Sequence, residues 1–118
     1  WSRSSGLRAP LRLDDPAAIA RAHRMRADFG LSGGQLVANP IPADAEIPSH
    51  VIGPHIEHAL SDAARDGISA KDVTPYLLSR IFTLTQGASL AANIALVLNN
   101  ARLASAIAQG ISDFPAGK

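Results

Sequence analysis

One short strand pattern among helical stretches limits most strongly how this chain folds. Leu36-Val-Ala38 is the strong strand candidate; it ends at Asn39-Pro40-Ile41-Pro42, where two close prolines remove backbone donors from a sheet. Leu11–Leu13 is a weaker second candidate. A lone strand leaves its backbone N–H and C=O groups unpaired unless it joins a sheet. We therefore expect the strand to pair with a sheet outside these 118 residues, in a longer protein.

Helical periodicity covers most of the remaining chain. The four stretches with apolar residues at helical spacing are predicted at Asp15-Pro16 to Gly30, about Gly53 to Gly67, Thr74-Pro75 to Gly87, and Ser89 to about Gln109. Buried stripes are expected to include Met25 and Phe29 in the first helix, and Leu90, Ile94 and Val97 in the fourth. These patterns indicate an α/β chain that is mostly helical, with one or two strands.

Composition excludes several classes of function. The formal net charge is +1, so no strong field attracts nucleic acid or an anionic membrane, and the absence of cysteine excludes disulfides and thiolate metal sites. The longest continuous apolar run, Ile94 to Leu98, is too short to span a bilayer. No secretory signal pattern opens the chain, so we expect a cytoplasmic protein. Residues 112–118 carry no periodic pattern and are predicted to form a loose tail.

Asparagines are the polar residues that most need an explanation. Asn93, Asn99 and Asn100 fall within two turns of the fourth predicted helix, although asparagine has only mediocre helix propensity. At helical spacing Asn93 and Asn100 flank the apolar stripe, while Asn99 points away toward solvent. A carboxamide there offers donors and an acceptor to a ligand, or it forms a helix-to-loop hydrogen bond that only fixes packing. Both interpretations remain open for Asn93, and the packing role is favoured for Asn100.

Asn39 is a second candidate, because it follows the predicted strand at the edge where open α/β sheets place ligands. Its alternative role is a turn leading into Pro40. Histidines at 50, 55 and 58 have no carboxylate fixed beside them and are read as surface residues instead of metal ligands. Neither Lys71 nor Lys118 has the buried setting that activates a lysine for imine chemistry.

Three long motifs carry a family resemblance. They are Leu36-Val-Ala-Asn-Pro-Ile-Pro42 with Glu46-Ile-Pro48, then Gly67-Ile-Ser-Ala-Lys-Asp-Val-Thr-Pro-Tyr-Leu-Leu78, and Ser89-Leu-Ala-Ala-Asn-Ile-Ala-Leu-Val-Leu-Asn-Asn-Ala101. In order and spacing they resemble the C-terminal portion of the pseudouridine-5'-phosphate glycosidase family, also called indigoidine synthase A-like. The likeness covers all but the tail, with Tyr76 where the family usually has Phe and Gln86 where Gly is common.

The resemblance implies a three-layer α/β/α fold, a homotrimer and a small-molecule substrate. The family reversibly cleaves the C–C glycosidic bond of pseudouridine 5'-phosphate to uracil and ribose 5-phosphate, through a lysine imine and with a divalent metal such as Mn²⁺. Its lysine, its acid and its metal-binding aspartate have no counterpart here, so no catalytic or metal residue is assigned to this chain. By resemblance the uracil-facing asparagine is Asn93, with Asn100 and Asn39 as the next candidates.

Two hypotheses therefore stand beside each other. In the first, residues 1–111 are the C-terminal portion of the glycosidase domain, inactive alone, and 112–118 are its flexible tail. In the second, the chain is a non-catalytic remnant that serves as a binding or oligomerisation module. Neither hypothesis predicts contact with nucleic acid or membrane.

Overall fold

The computed structural model of the chain describes residues 1–114. Its secondary structure consists of α1 (Pro16–Asp28), α2 (Ser49–Arg65), α3 (Val73–Leu84) and α4 (Ala88–Ser112), with 3₁₀ turns at Ala43–Ala45 and Ala70–Asp72. Residues 115–118 of the predicted tail lie outside the described residues, and Ser112 still belongs to α4. The division into a domain over 1–111 and a flexible tail thus stays a prediction.

The chain separates into two compact units. The first unit comprises Trp1–Ser5 and Pro40–Val97, and the second comprises Gly6–Asn39 and Leu98–Lys118. Helices α2 and α3 belong to the first unit and α1 to the second, while α4 contributes residues to each.

The core of the first unit lies between α2 and α3. Ile52 and Ala59 of α2 and Ile81 of α3 are at most 2% exposed and contact one another. The partly buried residues packed around them are Trp1, Ile47, Ile56, Leu77 and Leu84. Burial of a branched aliphatic side chain contributes about 1.5–3 kcal/mol, so these few residues dominate the stability of the unit.

The second unit is organised around α1. Asp15 accepts a hydrogen bond from the Ala17 N–H with its side chain at 3.0 Å, and Pro16 occupies the first helical position, as predicted. Ile19 and Ala20 are buried. A Cβ on Gly110 of α4 would lie 3.1 Å from the Ala20 Cβ, so the two helices approach closely at these small residues.

The predicted strands are absent from the described residues 1–114. Leu36–Ala38 and Leu11–Leu13 are irregular, and Leu36 is 96% exposed. The physical reason is that a strand forms only when a second strand pairs with its backbone N–H and C=O groups. The described chain is thus helical, and the strands of the predicted α/β fold are not seen in it.

Several helix boundaries and buried faces also differ from the prediction. α3 begins at Val73 directly after a 3₁₀ turn, so Thr74 is not its cap, and Ser89 lies inside α4 and is buried. Pro54 lies inside a continuous α2. Met25 and Phe29 are 57% and 74% exposed, because the buried side of α1 is formed by Ile19 and Ala20 instead.

Helix α4 is more exposed than its apolar sequence predicts. Leu90, Ile94 and Val97 are each about half exposed, and the buried residues of this helix are Ser89 and Ala92. By length and composition alone α4 is apolar enough to cross a membrane, which the short run from Ile94 to Leu98 did not suggest. The core helices of soluble proteins pass the same test, so this property is weak support for a membrane span.

Candidate functional site

An open cavity in the first unit contains Asn93. Its volume is about 330 Å³, and its lining consists of Trp1, Leu78, Phe82, Ser89, Leu90 and Asn93. The surface is mainly apolar, with no charged side chain in its lining. Asn93 is half-buried, and within residues 1–114 its side chain forms no hydrogen bond. Its carboxamide is therefore the main polar side-chain group presented to a ligand here.

The turn between α3 and α4 positions one wall of this cavity. Gln86 and Gly87 both have positive φ values, 51° and 89°, and the Gly87 N–H donates to the Phe82 carbonyl at 2.9 Å. A Cβ on Gly87 would lie 3.4 Å from the Phe82 ring, an ordinary contact distance, so it is the positive φ that favours glycine at this turn. The side chain of Thr85 accepts a hydrogen bond from the Ser89 N–H at 3.1 Å and thereby joins the two helices.

Trp1 forms another wall of the cavity, and hydrogen bonds of the first three residues fix its position. The Trp1 indole N–H donates to the Ser89 carbonyl at 3.0 Å, and the Trp1 carbonyl accepts from the Ile47 N–H at 3.2 Å. Ser2 donates to the Ile47 carbonyl at 2.9 Å, and the Arg3 N–H donates to Glu46 at 2.8 Å. Trp1 was not among the predicted site residues, although it is the single tryptophan of a chain with 4% aromatic residues.

The structure brings the other two candidate asparagines together in the second unit. Asn39 donates to the Asn100 side-chain oxygen at 3.1 Å, in an exposed setting. This is a helix-to-loop hydrogen bond of the kind that a packing role for Asn100 predicts, although its partner is a side chain and not a backbone carbonyl. Asn93 belongs to the first unit and lines the cavity there. Asn99 was expected to be solvated and is only partly exposed.

A network of charged side chains joins α2 to α3 and was not foreseen from the sequence. The carboxylate of Asp62 is 3% exposed and accepts from Arg80 at 2.7 Å and from Arg65 at 2.8 Å. His58 lies 3.6 Å from the same carboxylate. The network continues as Arg65 contacts Asp66 at 3.0 Å.

These contacts shift four pKa values, among them that of Arg65, which the hydrogen bond to Asp66 raises. The hydrogen bond from Arg80 lowers the pKa of Asp62, with further lowering by the charges of Arg80 and Arg65 that outweighs desolvation. Tyr76 donates to Asp66 at 2.7 Å, and this bond lowers the pKa of Asp66 and raises the pKa of Tyr76. Each buried or partly buried charge is therefore compensated, which is typical of a structural network.

The described residues offer no metal-binding or imine-forming group. Across residues 1–114, no three histidine or acidic side chains are grouped so that they could hold a metal ion. The Mn²⁺ implied by the resemblance therefore has no fitting site in that part of the chain. Lys71 is exposed in the Ala70–Asp72 turn, and Lys118 lies outside the described residues.

Comparison with known proteins agrees with the three motifs. Residues 1–110 match the family described as Indigoidine synthase A like protein. A pseudouridine-5'-phosphate glycosidase of Paracoccus denitrificans is 65% identical over 112 residues, which are 95% of this chain and 37% of that relative. The enzyme of the same name from a Jannaschia species is 61% identical, with the same coverage of 95% and 37%.

A solved structure shares the fold. The crystal structure of the prealnumycin C-glycosynthase AlnA in complex with ribulose 5-phosphate matches with a TM-score of 0.80 at 25% identity, over 94% of this chain and 36% of that one. The chain thus spans little more than a third of the length of its relatives and corresponds to a C-terminal portion of them. With a family match over residues 1–110, the chain belongs to the Indigoidine synthase A-like family.

Proposed function

We propose that this chain is part of an enzyme that reversibly cleaves pseudouridine 5'-phosphate, with water, to uracil and ribose 5-phosphate. The observation that carries the proposal is the 65% identity, over 95% of the chain, to a relative named pseudouridine-5'-phosphate glycosidase. The structural neighbour is named a C-glycosynthase, so the chemistry of a sugar-to-carbon bond is common to both names. The proposal concerns the whole protein, since this chain spans only 37% of that relative.

The role proposed for Asn93 is recognition of the uracil ring. Its carboxamide lines an otherwise apolar cavity and forms no hydrogen bond within residues 1–114. An amide matches uracil because it can donate to a ring carbonyl and accept from a ring N–H at the same time. Such paired hydrogen bonds orient the base and hold its reacting carbon toward the sugar.

Asn39 and Asn100 are the next candidates after Asn93 and are proposed as further substrate-binding residues. Their mutual hydrogen bond of 3.1 Å is exposed, so a ligand could replace it at little cost in free energy. The same bond also supports the simpler role of holding the loop after residue 38 against α4.

The lysine imine and the metal ion are assigned to parts of the family domain outside this chain. Lys71 is exposed and lacks the surroundings that lower a lysine pKa for imine formation. We propose that another part of the whole protein supplies the lysine, the acid and the ligands of Mn²⁺. Residues 1–114 themselves hold no group of side chains that fits a metal ion.

A cytoplasmic homotrimer is the proposed form of the whole enzyme. The exposed apolar side chains of α4, among them Ile94 and Val97 at 51% and 56%, support packing against other protein surfaces instead of solvent. The relatives are named as enzymes of a nucleotide derivative, which supports a soluble protein in the compartment that holds such metabolites.

A chimera tests the activity directly. The matched segment of the Paracoccus denitrificans relative is replaced by this chain, and release of uracil from pseudouridine 5'-phosphate is measured. We expect activity within about tenfold of the parent, because the exchanged segments are 65% identical. A soluble, folded chimera without activity would contradict the proposed function and favour a non-catalytic binding or oligomerisation module.

Asn93→Ala in this chimera tests the site. We expect kcat/KM to fall roughly 10- to 100-fold, because paired hydrogen bonds to the base are lost. Gln109→Ala removes a carboxamide from an exposed position of the same helix and serves as the control with unchanged kinetics. Unchanged activity of Asn93→Ala would show that Asn93 is a packing residue.

A further inference from the structure

The cavity beside Asn93 holds more aromatic surface than one hydrogen-bonding residue explains. The chain has one tryptophan, one tyrosine and three phenylalanines, and two of these five rings, Trp1 and Phe82, line this cavity. In such an aromatic-poor chain, two rings around one half-buried carboxamide require a reason.

Trp1 is held firmly in place. Its indole N–H is used by the Ser89 carbonyl at 3.0 Å, and its ring packs against the core formed by Ile52, Ala59 and Ile81. Ser89 is 3% exposed and its own N–H is held by Thr85, so the acceptor is fixed as well. Because the only polar group of the indole is occupied, the ring can offer a ligand nothing but its apolar π surface.

The lining of the cavity selects one class of ligand. Aromatic and aliphatic side chains surround a single carboxamide, and none of the lining side chains is charged. A phosphate would find no charged side chain there, whereas a neutral flat ring with donors and acceptors on one edge fits. A volume of about 330 Å³ is at the small end of ligand pockets, which span roughly 300–1,000 Å³.

We infer that Trp1 is a specificity-determining residue of the proposed glycosidase, whose indole stacks on the uracil ring while Asn93 binds the edge of that ring. The inference rests on the proposed function and adds to it the recognition of the planar, aromatic character of the base. Selection works through a difference between ligands: a saturated ring with the same polar edge keeps the hydrogen bonds and loses the stacking.

Fluorescence of the chain tests the contact, since Trp1 is its single tryptophan. Uracil is expected to change the emission in a saturable manner, and ribose 5-phosphate, which has no base, is expected to leave it unchanged. 5,6-Dihydrouracil keeps the polar edge of uracil in a puckered, non-aromatic ring and is expected to bind at least about tenfold more weakly. Constant emission up to the solubility limit of uracil would overturn the inference.

Substitution separates stacking from structure. Calorimetry is expected to give a Kd for uracil about tenfold higher in Trp1→Ala, with most of the affinity restored in Trp1→Phe, which keeps a ring. The Kd for dihydrouracil should change little in either variant. Phe29→Ala removes a 74% exposed aromatic ring from the second unit and is the control. If Trp1→Ala loses helical structure, the test is the comparison of Trp1→Phe with the unmodified chain. An equal loss of affinity for uracil and for dihydrouracil would refute stacking.

The same variants in the chimera distinguish this inference from the proposed function. Trp1→Ala is expected to raise KM for pseudouridine 5'-phosphate with a smaller change in kcat, because base binding precedes the chemical step. If the chimera is active and Trp1→Ala leaves its KM unchanged, the stacking role is refuted but the glycosidase function is not. An inactive chimera, together with uracil-dependent emission of Trp1, would refute the glycosidase function and leave a site for a flat base.

Discussion

The two compact units differ in where their apolar side chains lie. In the first unit Ile52, Ala59 and Ile81 are at most 2% exposed and pack on one another. In the second unit the large side chains of Leu36 and Phe29 are 96% and 74% exposed, and burial is confined mainly to Ile19 and Ala20. The first unit therefore buries a core of its own while Ile94 and Val97 stay about half exposed, whereas the second unit leaves large apolar side chains almost fully exposed.

Their ion pairs differ in the same direction. Asp62 of the first unit is 3% exposed and is held by two arginines, whereas Arg12 and Asp14 of the second unit form a pair that is 86% and 72% exposed. Exposed pairs contribute little because water screens them and the side chains lose entropy. Tertiary stability within this chain is therefore concentrated between α2 and α3.

The largest effect is expected from the core. Ile81→Ala should lower the free energy of unfolding by about 2–5 kcal/mol, because Ile81 is 1% exposed and its removal leaves a cavity. The matched change in the second unit, Ile111→Ala, should lower it by less than about 1 kcal/mol, since that side chain is 37% exposed. Urea unfolding followed by circular dichroism measures the free energy of unfolding of both variants. Equal losses in the two variants would contradict the difference in stability between the units.

The charged network is expected to give the next largest effect. Asp62→Asn leaves Arg80 without its counter-charge and Arg65 with Asp66 alone, and we expect Tm to fall by roughly 10 °C. Asp14→Asn makes the same change in an exposed pair and should shift Tm by only about 1 °C. Differential scanning calorimetry tests this pair of variants. A Tm unchanged by Asp62→Asn would show that the network adds nothing to the stability of the first unit.

Stability should also depend on pH through this network. Because the folded-state pKa of Asp62 and of Asp66 is lowered, their contribution is present above about pH 4 and is lost as pH falls through the folded pKa. The raised pKa of Tyr76 acts in the opposite range, so its contribution is complete below about pH 10 and is lost at higher pH. Unfolding measured across pH should show both losses. Asp62→Asn should weaken the acid loss, and an unaltered acid profile in that variant would contradict the assignment.

The smallest effect is expected at the turn after α3. Gln86 has a φ of 51°, a conformation that suits glycine, so Gln86→Gly should raise the free energy of unfolding by about 0.5 kcal/mol. Gly87→Ala is the opposing control, expected to lower it by about 1 kcal/mol because φ is 89°, a conformation that L side chains rarely adopt. Destabilisation by Gln86→Gly would mean that the Gln86 side chain has a role of its own.

Features set by neighbouring residues were predictable from the sequence. The cap of α1 at Asp15 and the ends of α1 and α2 just before Gly30 and Gly67 were predicted correctly, since each depends on a few adjacent residues. The start of α4 was misjudged at Ser89, because tertiary contacts of Thr85 and Trp1 bury that serine inside the helix.

Features set by distant residues were not predictable. Asp62 and Arg80 are 18 positions apart, and the strand expected at Leu36–Ala38 depends on a partner that local sequence cannot supply. For the candidate site, the sequence placed Asn93 on the fourth helix but did not indicate that Trp1 and Phe82 would join it. The substrate-binding roles of Asn93, Asn100 and Asn39 remain predictions.

The bond from Trp1 to Ser89 also has a consequence for the order of folding. It joins residues 88 positions apart, so during synthesis the indole waits until most of the chain has been made. Helices α2 and α3 lie between these positions and pair over a short separation, so they can assemble first at a smaller entropy cost. Closure of the Trp1 segment is then a late event. The cavity beside Asn93 therefore acquires its final shape only after α2 and α3 have packed together.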